Sequence, residues 1–199
     1  MARTNKELKQ FMTDEIVRCK KDPVYFFKNY VLIQHPQRGR IKFNLYPFQE
    51  KVLKDLINHQ DNIILKSRQL GISTLCAGIA LHEILFFSDK NVLVIATKTK
   101  TAKNLVTKVE FAYKELPKWM LTTLKIKHTE FNKLSLALSN GSVIKAASAA
   151  SDDSRSESIS TLIIDECQKF DDIIEIKNKH TGEIKEIPIG ELYRNAIYT

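Results

Sequence analysis

The sequence predicts an α/β fold, a parallel sheet flanked by helices, and three observations carry it. Short continuous apolar runs at Asn62-Ile63-Ile64-Leu65, Val92-Leu93-Val94-Ile95 and Thr161-Leu162-Ile163-Ile164 read as strands buried on both faces. Longer segments between them place apolar residues at helical spacing. The alternation of the two patterns is that of strand-helix-strand units.

Taken in order, residues 4–20 mix charges with Leu8, Phe11, Met12, Ile16 and Val17 and read as an amphipathic helix. Pro23 permits a new start, Val24–Val31 is rich in aromatics, and His-Pro-Gln-Arg-Gly-Arg at 35–40 is a polar turn. Pro47 opens a helix carrying Val52, Leu53, Leu56 and Ile57. After the first core strand and a loop at 67–72, Ser73–Phe87 reads as a helix, and Thr99–Leu116 as another after the second strand. Ile126–His128, Lys133–Leu138 and Ser142–Ala146 read as shorter strands, with Asn140-Gly141 a hairpin turn. The third core strand ends in Asp165-Glu166. Beyond it, Ile173–Ile176, a turn at His180–Glu183 and Ile184–Ile189 suggest a small β-hairpin, and Glu191-Leu192-Tyr193 begins a short helix. The expected organisation is an N-terminal helical region over 1–60, a sheet core over 61–166 and an appendage over 167–199.

A chain of 199 residues with 43% hydrophobic and 27% charged residues has the composition of a globular protein with a real core. A net charge of +8 favours a polyanionic partner, nucleic acid first and a membrane surface second. Cys19, Cys76 and Cys167 are odd in number and lack zinc-ligand spacing, which argues against a disulfide framework and for a reducing, intracellular setting. The N-terminus has no apolar signal-peptide core, and no apolar run is long enough to span a bilayer.

The loop Lys66-Ser67-Arg68-Gln69-Leu70-Gly71-Ile72-Ser73-Thr74 stands between a strand and a helix, where a phosphate-binding loop belongs. Against G-x-x-x-x-G-K-[ST], Gly71 holds the second glycine position and Ser73 the hydroxyl position, while Lys66 replaces the first glycine and Ile72 the lysine. Backbone N–H groups at the helix start supply an anion cradle that tolerates such changes. Ser73 can ligate Mg²⁺. Lys66 can supply the phosphate cation from the loop entrance, and Arg68 can stabilise charge on a transferring phosphoryl group in cis. The plainer reading is a strand-loop-helix without a ligand, its cations merely solvated.

Asp165 is placed to hold Mg²⁺, and Glu166 to orient or deprotonate an attacking water. An apolar strand running into an acidic turn is also common, but the order of phosphate loop then acidic pair is that of P-loop NTPases of the RecA/ASCE-like type. Here such a sheet would be incomplete, with a small C-terminal β-hairpin appendage. Gln49, after Tyr46-Pro47-Phe48, can read an adenine edge while an aromatic stacks on the ring; by itself it reads first as a surface glutamine on a helix.

F-N-L-Y-P-F-Q-E (43–50), S-R-Q-L-G-I-S-T (67–74), S-N-G-S-V-I-K-A-A-S-A (139–149), Arg155 and L-I-I-D-E (162–166), in that order, resemble the ATPase domain of tailed-phage terminase large subunits, especially the myovirus type. D-P-V-Y-F-F-K-N-Y-V (22–31) and H-P-Q-R-G-R-I (35–41) resemble that family's N-terminal region. The resemblance implies an ATP- and Mg²⁺-dependent motor that drives double-stranded DNA into a procapsid. Its partners would be the portal and the small terminase subunit, in a homo-oligomeric ring in the host cytoplasm without membrane attachment. It implies an adenine-reading role for Gln49, a cis-acting role for Arg68, magnesium for Asp165 and catalysis for Glu166. Arg155 resembles an arginine near the nucleotide, although Ser156 stands where a glycine is expected. Terminases continue into a coupling motif and a metal-binding nuclease domain, for which no room follows Glu166.

The tail, C-Q-K-F-D-D-I-I-E-I-K-N-K-H-T-G-E-I-K-E-I-P-I-G-E-L-Y (167–193), resembles the start of an intein, though Gln168-Lys169-Phe170 and Asp172 depart from the usual pattern. This resemblance implies Cys167 as a splicing nucleophile and, as partner, a C-terminal half of the same terminase carrying the rest of a split intein. Cys167 as a plain cysteine in divergent terminase sequence is the other reading. Two further functions stay open: another P-loop ATPase that remodels nucleic acid, such as a helicase, and a non-catalytic truncated fragment.

Overall fold

The computed structural model describes residues 4–67, 69–96, 99–148, 158–165, 173–177, 184–188 and 191. The chain divides into two compact units, Met1–Asp165 and Glu166–Thr199. In the first, helix α1 (Asn5–Lys21) starts at a capping box between Thr4 and Glu7 and carries Arg18, Lys20 and Lys21 in its last turn, where cations complement the helix dipole. Helix α2 (Pro23–Tyr30) follows at once, with Pro23 in its first turn and the Asp22 carboxylate accepting from the Tyr25 N–H.

Strands β1 (Leu32–His35) and β2 (Gly39–Lys42) form an antiparallel hairpin. The polar turn seen in sequence is its loop, closed by His35 Nδ1 accepting from the Gln37 and Arg38 amides. After helix α3 (Pro47–Asn58) come α4 (Ile72–Phe86), β3 (Asn91–Ala96), α5 (Thr99–Lys114), α6 (Lys118–Leu124), β4 (His128–Phe131), β5 (Ser135–Leu138), β6 (Val143–Ser148) and β7 (Thr161–Asp165). In the second unit, β8 (Ile173–Lys177) and β9 (Ile184–Pro188) pair as an antiparallel hairpin.

The main sheet has five strands in the order β4-β5-β6-β3-β7. The expected parallel arrangement holds for β6-β3-β7. The β4 and β5 side is antiparallel, because the short Asn140-Gly141 turn, with Gly141 at φ +81°, can join β5 to β6 only in that sense. The sheet is therefore mixed, with helices packed against it.

One expected strand is corrected. Residues 62–65 join no ladder among the described residues, and Ile63 and Leu65 are 79% and 64% exposed. A strand exists only through its neighbours, and among the described residues none pairs with this segment; Ile64 packs against the core. The β1–β2 hairpin and α6 are elements that the sequence reading did not anticipate.

The N-terminal helices share the core of the sheet. Phe27 stacks on Phe43 with ring centroids 5.8 Å apart, and Phe26 meets Phe86 edge-on. Both phenylalanines are fully buried. Helix α4 is apolar on most of its circumference, as befits a helix enclosed by α2, α3, α5 and the sheet. Glu15, though buried, accepts from the Tyr25 and Tyr30 hydroxyls. Burial raises its pKa, but these hydrogen bonds and Arg18 overcome that and leave it lowered.

His82 is buried beside Phe26 and Phe86, with Nε2 3.0 Å from the Cys19 carbonyl oxygen. A carbonyl only accepts, so Nε2 carries the proton and donates. Burial lowers the imidazole pKa from its ordinary value of 6.5. An unfolded chain then takes up a proton near pH 6.5 that the folded chain resists, so this contribution is present above that pH and is lost as pH falls below it. Melting temperatures measured from pH 8 to pH 5 are expected to drop below about pH 6.5, and His82→Gln should flatten that drop; an unchanged slope in the variant would contradict this account.

Candidate functional site

Helix α4 begins at Gly71, which at φ +73° sits in the left-handed region that glycine adopts without a Cβ penalty. Gln69, at φ +66°, also lies there. No side chain caps the helix, and its first turn, which carries no acid, points backbone N–H groups, with the positive end of the dipole, towards the loop. At the C-terminal end of β7, Asp165 faces this turn. Ser73 Oγ donates to Asp165 Oδ1 at 3.0 Å, across 92 residues of chain. Lys66 Nζ lies 3.7 Å from the same oxygen. Loop entrance, helix start and strand end thus meet on one carboxylate.

Ile72 is buried in the core, which explains its side chain: the position of the usual lysine points inward here, and Lys66 is a cation that lies near Asp165 instead. Ser67, Gln69 and Leu70 are exposed along the loop, and Thr74 is half-buried. Arg68, Arg155, Glu166 and Cys167 lie outside the described residues, so the roles expected of them stand on the sequence alone.

Gln49 is buried with both ends of its amide engaged. Nε2 donates to the Leu70 carbonyl at 2.9 Å, and Oε1 accepts from the Tyr46 N–H at 3.0 Å. It ties α3 to the loop, and an adenine contact would have to use the second amide hydrogen or the second lone pair of Oε1. The fit is close: a Cβ on Gly71 would stand 2.8 Å from Gln49 Nε2. Beside it Tyr46 and Phe48 stack nearly parallel, 5.8 Å apart, with both rings exposed.

Two features escaped sequence reading. Thr161 Oγ1 lies 2.8 and 2.7 Å from the two Glu83 carboxylate oxygens, fixing β7 against α4. The available signal was a single acid in the apolar run Ile79–Phe86. Lys108, on α5, shares the field of Asp165; burial lowers its pKa and Asp165 opposes that. Nothing in the sequence set it apart from the other lysines of α5. Cys76, one turn into α4, has its thiol pushed up to about 11 by burial first and Asp165 second, so it is an inert wall of the site.

The donor set suits magnesium. A hydroxyl and a carboxylate at hydrogen-bond distance are hard oxygen ligands, and Mg²⁺ is commonly held by one or two protein groups with waters and phosphates completing the octahedron. Among the described residues no three His, Cys, Asp or Glu side chains converge, so no metal cage of those side chains alone is formed there.

A mixed α/β sheet with a loop and helix start gathered at the C-terminal end of a parallel strand defines an α/β protein with its candidate site at the strand ends, where ligands bind in open α/β sheets. Residues 63–179 match the family described as terminase large subunit, T4likevirus-type, N-terminal, and the chain belongs to that family. The crystal structure of the HK97 bacteriophage large terminase shares the fold, with a TM-score of 0.56 and 21% sequence identity over 74% of this chain. This chain spans 31% of that protein's length. No helix among the described residues is long and apolar enough to cross a membrane.

Proposed function

We propose that this chain is the ATP-binding and ATP-hydrolysing segment of a viral DNA-packaging terminase large subunit. The observation that supports it most directly is the 3.0 Å contact between Ser73 and Asp165, which joins the loop-helix start to the strand-end acid. The α4 N-terminus and the loop backbone receive the phosphates, and Gly71 gives them close approach. Ser73 and Asp165 hold magnesium, directly or through water. Bound there, the ion neutralises the phosphate oxygens and orients them for in-line attack. Lys66, poised on Asp165, exchanges that partner for the phosphates. Arg68 stabilises charge on the transferring group, and Glu166 takes the proton of the attacking water. Gln49 holds the loop in register. Double-stranded DNA, the portal, the small subunit and a ring of identical subunits are the partners of the completed protein.

In the completed large subunit, Lys66→Ala is expected to reduce ATP turnover by two orders of magnitude or more, roughly the loss from removing one preorganised electrostatic group. Wild-type turnover in that variant would reject Lys66 as the phosphate cation, and wild-type nucleotide affinity in a double Lys66→Ala, Ser73→Ala variant would reject the site. An ATPase that responds to nucleic acid but never to procapsids would favour the helicase-like alternative.

A second reading concerns the tail, and the observation that favours it is the boundary between the two units at Asp165 and Glu166. In this reading Cys167 Sγ attacks the Glu166 carbonyl carbon, the Glu166–Cys167 amide bond breaks, the Cys167 nitrogen leaves as an amine and a thioester remains. The family match extends through residue 179, however, which gives residues 167–179 a second origin as terminase sequence. Mixing with a C-terminal intein half should release residues 167–199 and ligate residue 166 to the partner; persistence of that ligation in Cys167→Ala would end this reading.

A further inference from the structure

We propose that Glu83 and Thr161 are a positioning pair for the nucleotide site: their contact sets where α4 stands along β7, and so holds Ser73 and Asp165 at the separation a magnesium ion needs. This role rests on the nucleotide reading of that site and assigns part of it to residues that touch neither metal nor phosphate.

Glu83 is the only acid of α4, whose sequence from Ile72 to Phe86 is otherwise mostly apolar. Its neighbours Leu81, Ile84 and Leu85 are buried, and Glu83 itself is half-buried. Among the described residues no cation lies within ion-pair distance of it. Its carboxylate instead accepts from the Thr161 hydroxyl, with Oγ1 2.8 and 2.7 Å from the two oxygens. Drawing a carboxylate partly out of water has a solvation cost that one neutral hydroxyl offsets only in part. What such a contact supplies is direction, because it selects one placement of α4 among others of similar apolar burial. The close fit of Phe27 at Gly78 seats α4 on α2. The site needs more than that: α4 must also be placed relative to β7.

The pair and the site mark two ends of one overlap. Ser73, in the first turn of α4, meets Asp165 at the end of β7, and Glu83, near the end of α4, meets Thr161 at the start of β7. Helix and strand therefore run in opposite directions. From Ser73 to Glu83 the helix rises about 15 Å, and from Thr161 to Asp165 the strand spans about 13 Å. Lengths that agree to about 2 Å let both contacts close together in one register. A slip of one residue along β7 would carry Asp165 about 3.3 Å away and break its contact with Ser73. Ser73, Cys76, Ala80 and Glu83 also fall at i, i+3, i+7 and i+10, so one side of α4 carries both contacts.

The spacing held in this way fits the ion. Ser73 Oγ stands 3.0 Å from Asp165 Oδ1. In an octahedron with Mg–O bonds of about 2.1 Å, adjacent oxygens are √2 times that distance apart, about 3.0 Å. Hydroxyl and acid are thus spaced as adjacent oxygens of a magnesium site. Removing groups that orient metal ligands from outside typically weakens metal binding by about 10–100-fold.

The test replaces both partners, since removing one strands the other. The Glu83→Met, Thr161→Val double variant roughly keeps the volumes, so it should melt close to the wild type. In the completed large subunit, the magnesium concentration that half-saturates binding of a fluorescent, non-hydrolysable ATP analogue is expected to rise by about tenfold in this variant. In the whole chain without nucleotide or metal, hydrogen exchange of a peptide covering 71–76 should quicken, at the end of α4 remote from the substitution. Thr161→Val alone, which leaves Glu83 free to turn to solvent, is the second variant and carries the same expectation. Glu83→Gln keeps an acceptor for the Thr161 hydroxyl and should retain the wild-type magnesium dependence. A Gln variant as impaired as the double variant would place the effect in charge and overturn the positioning role. Unchanged magnesium dependence in the double variant would do the same, as would exchange that quickens only around residues 83 and 161. Failure of the nucleotide reading is distinct: the wild type would not bind the analogue, and the positioning role would fall with it.

Discussion

Asp165→Asn is expected to lower ATP turnover of the completed large subunit by about 10²-fold or more, equivalent to roughly 3 kcal/mol or more in transition-state stabilisation. The reason is that three parts of the site share this one carboxylate. Ser73 donates to Oδ1 at 3.0 Å, Lys66 lies 3.7 Å from the same atom, and Cys76 and Lys108 feel its charge. Asparagine keeps the shape and an acceptor for the Ser73 hydroxyl, so α4 and β7 stay in register. What it removes is the negative charge. In the proposed site magnesium would then lose the carboxylate offered by Asp165, and Lys66 would lose its partner at the loop entrance. The magnesium concentration for half-maximal turnover should rise while the melting temperature changes little. Ser73→Ala, which removes one neutral ligand, should have a smaller effect. If Asp165→Asn hydrolyses ATP at the wild-type rate and magnesium dependence, Asp165 is a structural cap for Ser73 and the catalytic site lies elsewhere.

Much of this site was legible in the sequence because its chemistry is local. A glycine at the helix start, a hydroxyl two residues on and an acid ending an apolar strand each carry a backbone or side-chain requirement visible at one position. The structure brings Lys66, Ser73 and Asp165 together, the arrangement the spacing suggested. The core strands at 92–95 and 161–164 were legible for the same reason, since continuous apolar runs need burial on both faces. Segment 62–65 had the same pattern and forms no strand, because a ladder depends on a neighbour that no local pattern can reveal. The antiparallel side of the sheet was readable only at Asn140-Gly141. Lys108 was invisible, and Glu83 showed only as a single acid in an apolar run, because their roles arise from contacts with Asp165 and β7, far away in sequence. Gln49 was found by its position, but its double engagement with Leu70 and Tyr46 could come only from coordinates.

Phe27→Ala is expected to destabilise the first unit by about 3–5 kcal/mol, the usual cost of deleting a buried aromatic. Phe27 is fully buried, stacks on Phe43 and packs its ring edge against Gly78 in the middle of α4. A Cβ at Gly78 would stand 2.7 Å from Phe27 Cε2 and Cζ, closer than packed carbons tolerate. The glycine is therefore there for contact: it lets α2 dock on the helix whose N-terminus forms the site. Gly78→Ala gains up to about 1 kcal/mol in helix propensity, yet overpacking typically costs about 1–3 kcal/mol, so a net loss is expected. The two positions should couple. With Phe27→Leu in place the ring edge is gone, and Gly78→Ala should become neutral or stabilising. Urea midpoints for the wild type, both single variants and the double variant measure this, provided the slope of the transition is unchanged. Additive midpoints would show that α4 and α2 yield independently at this contact. Coupling of about 1 kcal/mol or more would show one rigid joint, through which the N-terminal helices hold the loop-bearing helix in place.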